Sequence, residues 1–414
     1  MKIEMEPHWN QLAENVSEKA CRLDSTQLCT QARRKTGLDD FGEPSVEPAL
    51  SILANSLETE ANLHPLGRFL VRIHLLGILG ARLKFNSQYR AHEHEFEDSL
   101  ALAPIFITGM PRSGSTFLHE LIVQDQSLRA PRVWEVMSPA DAATPDRGWR
   151  DLRVWNTAWC LWCFRRLVRK VDAVYPMRAR TPHECVAIQG HTLLSEEFIS
   201  TAHVPAYERF LRAADLRPAY AWEKKFLRFL QATTPEQRWV LKSPDHVRGL
   251  EALFAEFPNA LVVQTHRNPL DSLRSSIQLT EVLHRLYGRP RSRDQIARRE
   301  AENLSSNMDR MIQFRDRHPE LADRFIDVNY SELSEDPLRV VRRIFRHFDL
   351  PLSDETLARM QRLARSRSAY AGRHTAPTLA EVGLNPRAQW KLFGEYCRRF
   401  GISSGPAGIK LGPR

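Results

Sequence analysis

Three short stretches of the sequence carry residue types that can do chemistry. The first is Gly109-Met110-Pro111-Arg112-Ser113-Gly114-Ser115-Thr116. The apolar run Ile105-Phe106-Ile107-Thr108 leads into it, and Phe117, Leu118, Leu121 and Ile122 follow at helical spacing. A strand that turns through a glycine-bounded loop into a helix aims backbone N–H groups and a helix N-terminus at one point, which suits an anion. The spacing equals that of a P-loop. The lysine that such loops place on the β/γ-phosphates is missing, and Ser115 stands there. Arg112 supplies a cation three positions earlier. That substitution counts against nucleoside-triphosphate hydrolysis and suits a less charged ligand.

The second stretch is His266-Arg267-Asn268-Pro269, after the apolar run Ala260–Thr265. Pro269 is well placed to open a helix, where its missing N–H costs nothing. Ser275 lies roughly two helical turns further on. A guanidinium fork with a hydroxyl suits a phosphate monoester; a surface ion pair accounts equally well for Arg267 taken alone. The third stretch is Trp239-Val240-Leu241-Lys242-Ser243-Pro244-Asp245-His246. A lysine closing a buried strand is costly unless it meets an anion. His246 is a candidate general base or a turn residue. Glu135, in Arg132-Val133-Trp134-Glu135, is the favoured base, with an ion pair to Arg132 or Arg112 as its competing role.

The elements that must position these residues follow from the apolar pattern. Pro104–Thr108, Trp239–Lys242, Leu261–Thr265 and Phe325–Asn329 read as buried parallel strands, each followed by a loop and a helical stretch. Strands separated by helices predict an α/β fold, a three-layer, P-loop-like parallel sheet flanked by helices. Ligands of such sheets bind outside the carboxyl ends of the strands, where all three stretches sit. Residues 1–100 are expected to form an N-terminal helical region packed on the core. Residues 101–400 form the α/β domain, with a helical, acceptor-side insertion over 150–235, and 401–414 form a tail. His92-Glu93-His94-Glu95 reads as a solvated polar face, because His at i and i+2 point apart on a helix.

Composition is that of a globular chain: 414 residues, 42% apolar and 26% charged. The net charge of +9, mostly arginine, is compatible with nucleic acid, a membrane surface or an anionic cofactor. The stretch from Phe69 to Leu83 is too short to span a bilayer and is interrupted by Arg72, His74 and Arg82, so a buried helix is expected. Neither a transmembrane segment nor a signal peptide is expected, and the predicted location is cytoplasmic. The six cysteines are expected to be reduced thiols; Cys160 and Cys163 have CxxC spacing without a second pair.

The run from Gly109 to Leu118 resembles the 5′-phosphosulfate loop of sulfotransferases that use 3′-phosphoadenosine 5′-phosphosulfate (PAPS). It is closest to the bacterial-type branch with Pro-Arg-Ser-Gly or Pro-Arg-Thr-Gly; cytosolic animal members usually have lysine where Arg112 stands. The resemblance covers about residues 100–400, including Thr181-Pro182-His183-Glu184-Cys185. It implies that Arg112, Ser113, Gly114, Ser115, Thr116 and Phe117 hold the 5′ end of the donor. Arg267 and Ser275 would hold its 3′-phosphate, with Asn268 replacing the usual acidic residue, and Tyr330 would lie beside the adenine. Glu135 would be the base, Lys242 would touch the sulfate or bridging oxygen, and Arg373 and His374 would close over the 3′-phosphate. PAPS would be the co-substrate and 3′,5′-adenosine bisphosphate the product, with no metal required. His183, Glu184, Trp155, Trp159 and Trp162 are candidates for an acceptor pocket, although an aromatic helix stripe is more often core. The expected partner is a small, hydrophobic or aromatic acceptor with a hydroxyl or amine, and not nucleic acid. The alternatives are a P-loop kinase or hydrolase, a nucleic-acid-binding protein, and a non-catalytic relative.

Overall fold

The computed structural model describes residues 21–96, 100, 102–141, 144, 146–167, 177–232, 234, 236–368 and 376–402. The described residues divide into two compact units. One lies within Met1–Ala101, Pro131–Glu236 and Val282–Pro290; the other within Leu102–Ala130, Gln237–Glu281 and Arg291–Arg414.

The second unit carries a five-stranded, all-parallel sheet in the order β2-β3-β1-β4-β5. The strands are β1 (Ile105–Gly109), β2 (Leu128–Arg129), β3 (Arg238–Lys242), β4 (Leu261–His266) and β5 (Phe325–Asn329). Four were predicted to within a residue at each end. The two-residue β2, pairing Leu128 with Arg238 and Arg129 with Trp239, is too short to leave a pattern in sequence. Side chains alternate across the sheet. Ile105 and Ile107 of β1 join Leu118, Leu121 and Ile122 of helix Ser115–Ile122 and Val340, Val341 and Ile344 of helix Pro337–His347 in one core. Phe106 points the other way, edge-on to Phe257 at 5.2 Å. The sheet is therefore buried on both faces, which explains its unbroken apolar runs.

Strand order reverses at β1, with β2 and β3 on one side and β4 and β5 on the other. The crevice beyond the carboxyl ends of β1 and β4 is thus the switch point where such sheets take ligands. Register brings those ends level: Gly109 lies opposite Thr265, and His266 opposite Asn329. Gly109 sits at φ 135°, and a Cβ there would lie 2.1 Å from the Thr265 carbonyl oxygen.

The first unit is helical. Helices Ser25–Thr36, Glu47–Thr59 and Pro65–Ala91 account for much of the predicted N-terminal helical region. The last opens with His64 Nδ1 accepting from the Gly67 N–H at 2.9 Å and with Pro65 at its first position. One side of it is in the core, with Leu75, Leu79 and Leu83, but Phe69 and Ile73 are exposed, so the stretch expected to be a buried helix is buried on one face only. Arg82 is fully buried yet well matched: it donates to the carbonyls of Phe41, His191, Gly42 and Pro44, and its guanidinium lies 4.2 Å from the centre of the Trp222 ring. Burial still pushes it down to about 9. His92 and His94 are exposed beside a short 3-10 turn, as a polar face should be. No described helix is long and apolar enough to cross a membrane. None of the six cysteines is in a disulfide.

Two outcomes are expected. Gly109→Ala forces a Cβ into the β4 backbone and costs about 2–4 kcal/mol, read as a lower urea midpoint. Glu223 is buried in the first unit, where Gln189 Nε2 donates to it at 2.9 Å. Burial pushes its carboxyl up to about 7, against the pull of Cys185 and Gln189. A raised carboxyl favours folding fully below its unfolded value near about 4.3, and that benefit is lost as pH rises through the folded value. The stability of the native chain relative to Glu223→Gln should fall by on the order of 2–3 kcal/mol between about pH 5 and 8 in denaturant titrations. A flat difference overturns this.

Candidate active site

The site in the second unit begins where β1 ends. The chain turns through Met110–Gly114 into helix Ser115–Ile122, with Arg112 at φ 65° and Gly114 at φ 87°. Left-handed backbone is costly for an arginine and needs surrounding support. The support is visible. Arg267, just beyond β4, donates from its guanidinium to the Arg112 carbonyl at 2.7 Å. Arg112 Nε donates to Ser275 Oγ at 3.0 Å. Beneath the loop, Ser113 Oγ is buried within 2.5 Å of both the Met110 carbonyl and Thr265 Oγ1, which in turn donates to the Thr108 carbonyl at 3.0 Å.

Arg112, Arg267 and Ser275 are thus one hydrogen-bonded cluster. Tyr330 joins it: the Arg267 guanidinium lies 4.2 Å from the centre of the Tyr330 ring. A Cβ on Gly114 would come within 3.1 Å of the same ring, so that glycine lets the aromatic approach the loop. Ser115 is buried, Thr116 is exposed, and the half-buried Phe117 packs on the core beneath the loop.

Asn268, the departure from the resembled pattern, accepts from the Leu270 N–H at 2.9 Å and caps helix Pro269–Tyr287. Asparagine and aspartate cap equally well. The same helix presents Ser275 to the loop. Its Arg274 donates to the carbonyls of Ala376 and Pro377 at 2.9 and 2.8 Å. Arg373 and His374 lie outside the described residues.

Lys242 closes β3 with 2% exposure, and its ammonium donates to Thr116 Oγ1 at 3.1 Å. Two buried imidazoles flank it electrically. Burial, then the Lys242 charge, pushes His119 and His246 down to about 3 each. His246 sits edge-on to Phe106 at 5.1 Å. An imidazole of that acidity is neutral at pH 7 and a weak proton acceptor. The turn is capped by Ser243, whose hydroxyl accepts from the Asp245 N–H at 3.2 Å.

Glu135 belongs to the first unit, in helix Val133–Met137, and is 4% exposed. Its carboxylate accepts from the Arg132 backbone N–H at 2.7 Å. Arg132 thus meets Glu135 through its backbone N–H, while its guanidinium reaches Asp146 at 3.0 Å. The segment before Glu135 pairs with the segment before Cys185: His183 N–H donates to the Pro131 carbonyl at 2.7 Å, and Trp134 N–H to the Ala179 carbonyl at 3.0 Å. The structure therefore joins Glu135 and the His183-Glu184 pair on one local scaffold, which the sequence spacing did not reveal. The Trp stripe is on the surface, which rules against the reading of it as core. Trp155, Trp159 and Trp162 are 61%, 64% and 44% exposed, not core.

Comparison with known proteins places this geometry. Residues 104–354 match the model of the Sulfotransferase family. Omega-hydroxy-beta-dihydromenaquinone-9 sulfotransferase Stf3 of Mycobacterium bovis, and that of Mycobacterium tuberculosis, are each 28% identical over 268 residues, covering 61% of this chain and 64% of the relative. The match thus spans less than two thirds of those relatives' length. The crystal structure of sulfotransferase STF1 from M. tuberculosis superposes with a TM-score of 0.74 at 30% identity, over 89% of this chain and 97% of that one. STF9 from Mycobacterium avium superposes with a TM-score of 0.79 at 26% identity, over 94% and 98%. With a phosphate-type loop after β1, an arginine after β4 in contact with it, and more than half its length matched, the chain belongs to the sulfotransferase family.

Proposed function

We propose that this chain moves a sulfuryl group from PAPS to a hydroxyl or amine of a small, hydrophobic acceptor. The observation that carries the reading is the contact of Arg112 with Arg267 and Ser275 at adjacent strand ends. Two guanidinium groups drawn into one cluster repel each other, and an anion between them removes that cost. A nucleotide with a phosphate at each end of its ribose suits such a pair. The backbone N–H groups of the loop, with Ser113, Gly114, Ser115, Thr116 and Phe117, would hold the 5′ end beside Arg112. Arg267 and Ser275 would hold the 3′-phosphate, and the Tyr330 ring would flank the adenine.

When bound, PAPS supplies an electrophilic sulfur whose bond to the bridging oxygen breaks as the acceptor oxygen or nitrogen bonds to it. Lys242, buried at the end of β3 against Thr116 Oγ1, is suited to donate a hydrogen bond to charge that grows on the bridging oxygen. Glu135 is our candidate for removing the acceptor proton; the weakly basic His246 is better read as a neutral, space-filling neighbour of Lys242. A hydrophobic acceptor is supported by the Stf3 relatives, whose name is that of a dihydromenaquinone sulfotransferase. The serine in place of a loop lysine disfavours the kinase reading.

Three measurements test this. Saturating 3′,5′-adenosine bisphosphate should raise the melting temperature, by about 2.7 kcal/mol of stabilisation at a hundredfold excess over Kd; no shift at millimolar ligand sinks the donor assignment. Arg267→Ala should weaken that binding about 10–100-fold. Glu135→Gln should keep bisphosphate affinity while lowering kcat about 10²–10⁴-fold; unchanged turnover removes Glu135 as the base.

A further inference from the structure

Among the described residues, ten large apolar side chains are exposed, and five of them fall between positions 149 and 162: Trp149, Leu152, Trp155, Trp159 and Trp162. Helix Leu152–Leu167 carries four of these. Its inner face is also apolar, with Val154 and Leu161 buried beside Thr157. A surface helix normally turns polar residues outward; here Leu152 and three indoles share the outward side with Asn156, Cys160 and Arg166. Trp159 and Trp162 stack face to face, with ring centres 4.9 Å apart, so the stripe is continuous and preformed.

Its charge identifies what it meets. Between positions 147 and 166 the acidic residue is Asp151, against Arg147, Arg150, Arg153, Arg165 and Arg166. Asp151 is buried and held by Arg153 at 2.5 Å. The other arginines lie at the two ends of the stripe. Arg150 sits 4.8 Å from the centre of the Trp149 ring and Arg166 5.0 Å from that of Trp162, so guanidinium groups border the indoles. Exposed Trp with flanking Arg on a helix roughly 24 Å long is the composition of a segment lying in a bilayer interface. Indoles settle at the headgroup level, and arginines pair with anionic headgroups there.

We propose that helix Leu152–Leu167, with Trp149 ahead of it, docks this protein on the surface of an anionic lipid bilayer. The docking is peripheral. It draws on charge as well as on apolar burial, so it weakens with salt, and it is independent of the reaction assigned above.

The test uses the full chain with sedimented vesicles of phosphatidylcholine alone or with about 30% phosphatidylglycerol. The chain should pellet with the anionic vesicles and stay largely in solution with the neutral ones. Raising salt from about 0.1 to 1 M, which shortens the screening length from about 10 to 3 Å, should release much of it. Replacing the stripe together (Trp155→Ser, Trp159→Ser and Trp162→Ser) should cut partitioning at least about tenfold, with the far-ultraviolet circular dichroism unchanged. A second readout is quenching of tryptophan emission by brominated lipids. Trp134, Trp222, Trp239 and Trp390 are each 1% exposed and out of reach of lipid, so the quenching that the triple replacement removes, with Trp9 left in place, reports on the stripe. Failure to pellet with anionic vesicles overturns the proposal, and so does pelleting that the triple replacement leaves intact. A concentration-dependent dimer without vesicle binding, made monomeric by that replacement, also overturns it, because the stripe then covers a second copy.

Discussion

The close passage of β1 against β4 governs the second unit. Gly109 has no side chain, and the Thr265 carbonyl occupies the space one would need. That contact sets the loop where Ser113 and Thr265 share a hydrogen bond and where Arg267 reaches the Arg112 carbonyl. Parallel pairing in register does the rest: Arg112, Lys242, Arg267 and Tyr330 end or follow strands at the sheet's carboxyl edge. The positively charged cluster therefore comes from backbone geometry first and side-chain chemistry second.

Lys242 shows how the interior accommodates a cation. Its stem is buried, and the nearby histidines are held neutral by burial and by the lysine itself. Neutral imidazoles add no second charge to a region that already holds one. A second protonated group there would raise the cost of burial steeply, since repulsion grows as the local dielectric constant falls.

The sheet was legible because strands buried on both faces leave unbroken apolar runs between helical stretches. β2 was not, since two residues carry no period. The loop and Arg267 were legible as two separate candidate segments at strand ends. Their direct contact was not, because it depends on strand order, which β1 takes from the middle of the sheet. Asn268 was recognisable as a departure, but its capping role needed the helix to be seen. The pairing of the Glu135 segment with the His183 segment is irregular backbone with no side-chain signature. The exposure of the tryptophans of helix Leu152–Leu167 was not legible for a different reason: apolar residues at helical spacing say that a face is greasy, and nothing about which side of the molecule it covers.

Arg274 and Ser275 are neighbours on one helix, about 100° apart around its axis. Ser275 takes a hydrogen bond from Arg112 in the loop after β1, while Arg274 ties down the backbone at Ala376 and Pro377. The helix thus works like a key with two bits, and both must enter their wards at the same angle. A single residue gained or lost upstream in that helix would turn both away together. The phase depends on the number of residues between Pro269 and Arg274, not on the length of the helix beyond Ser275.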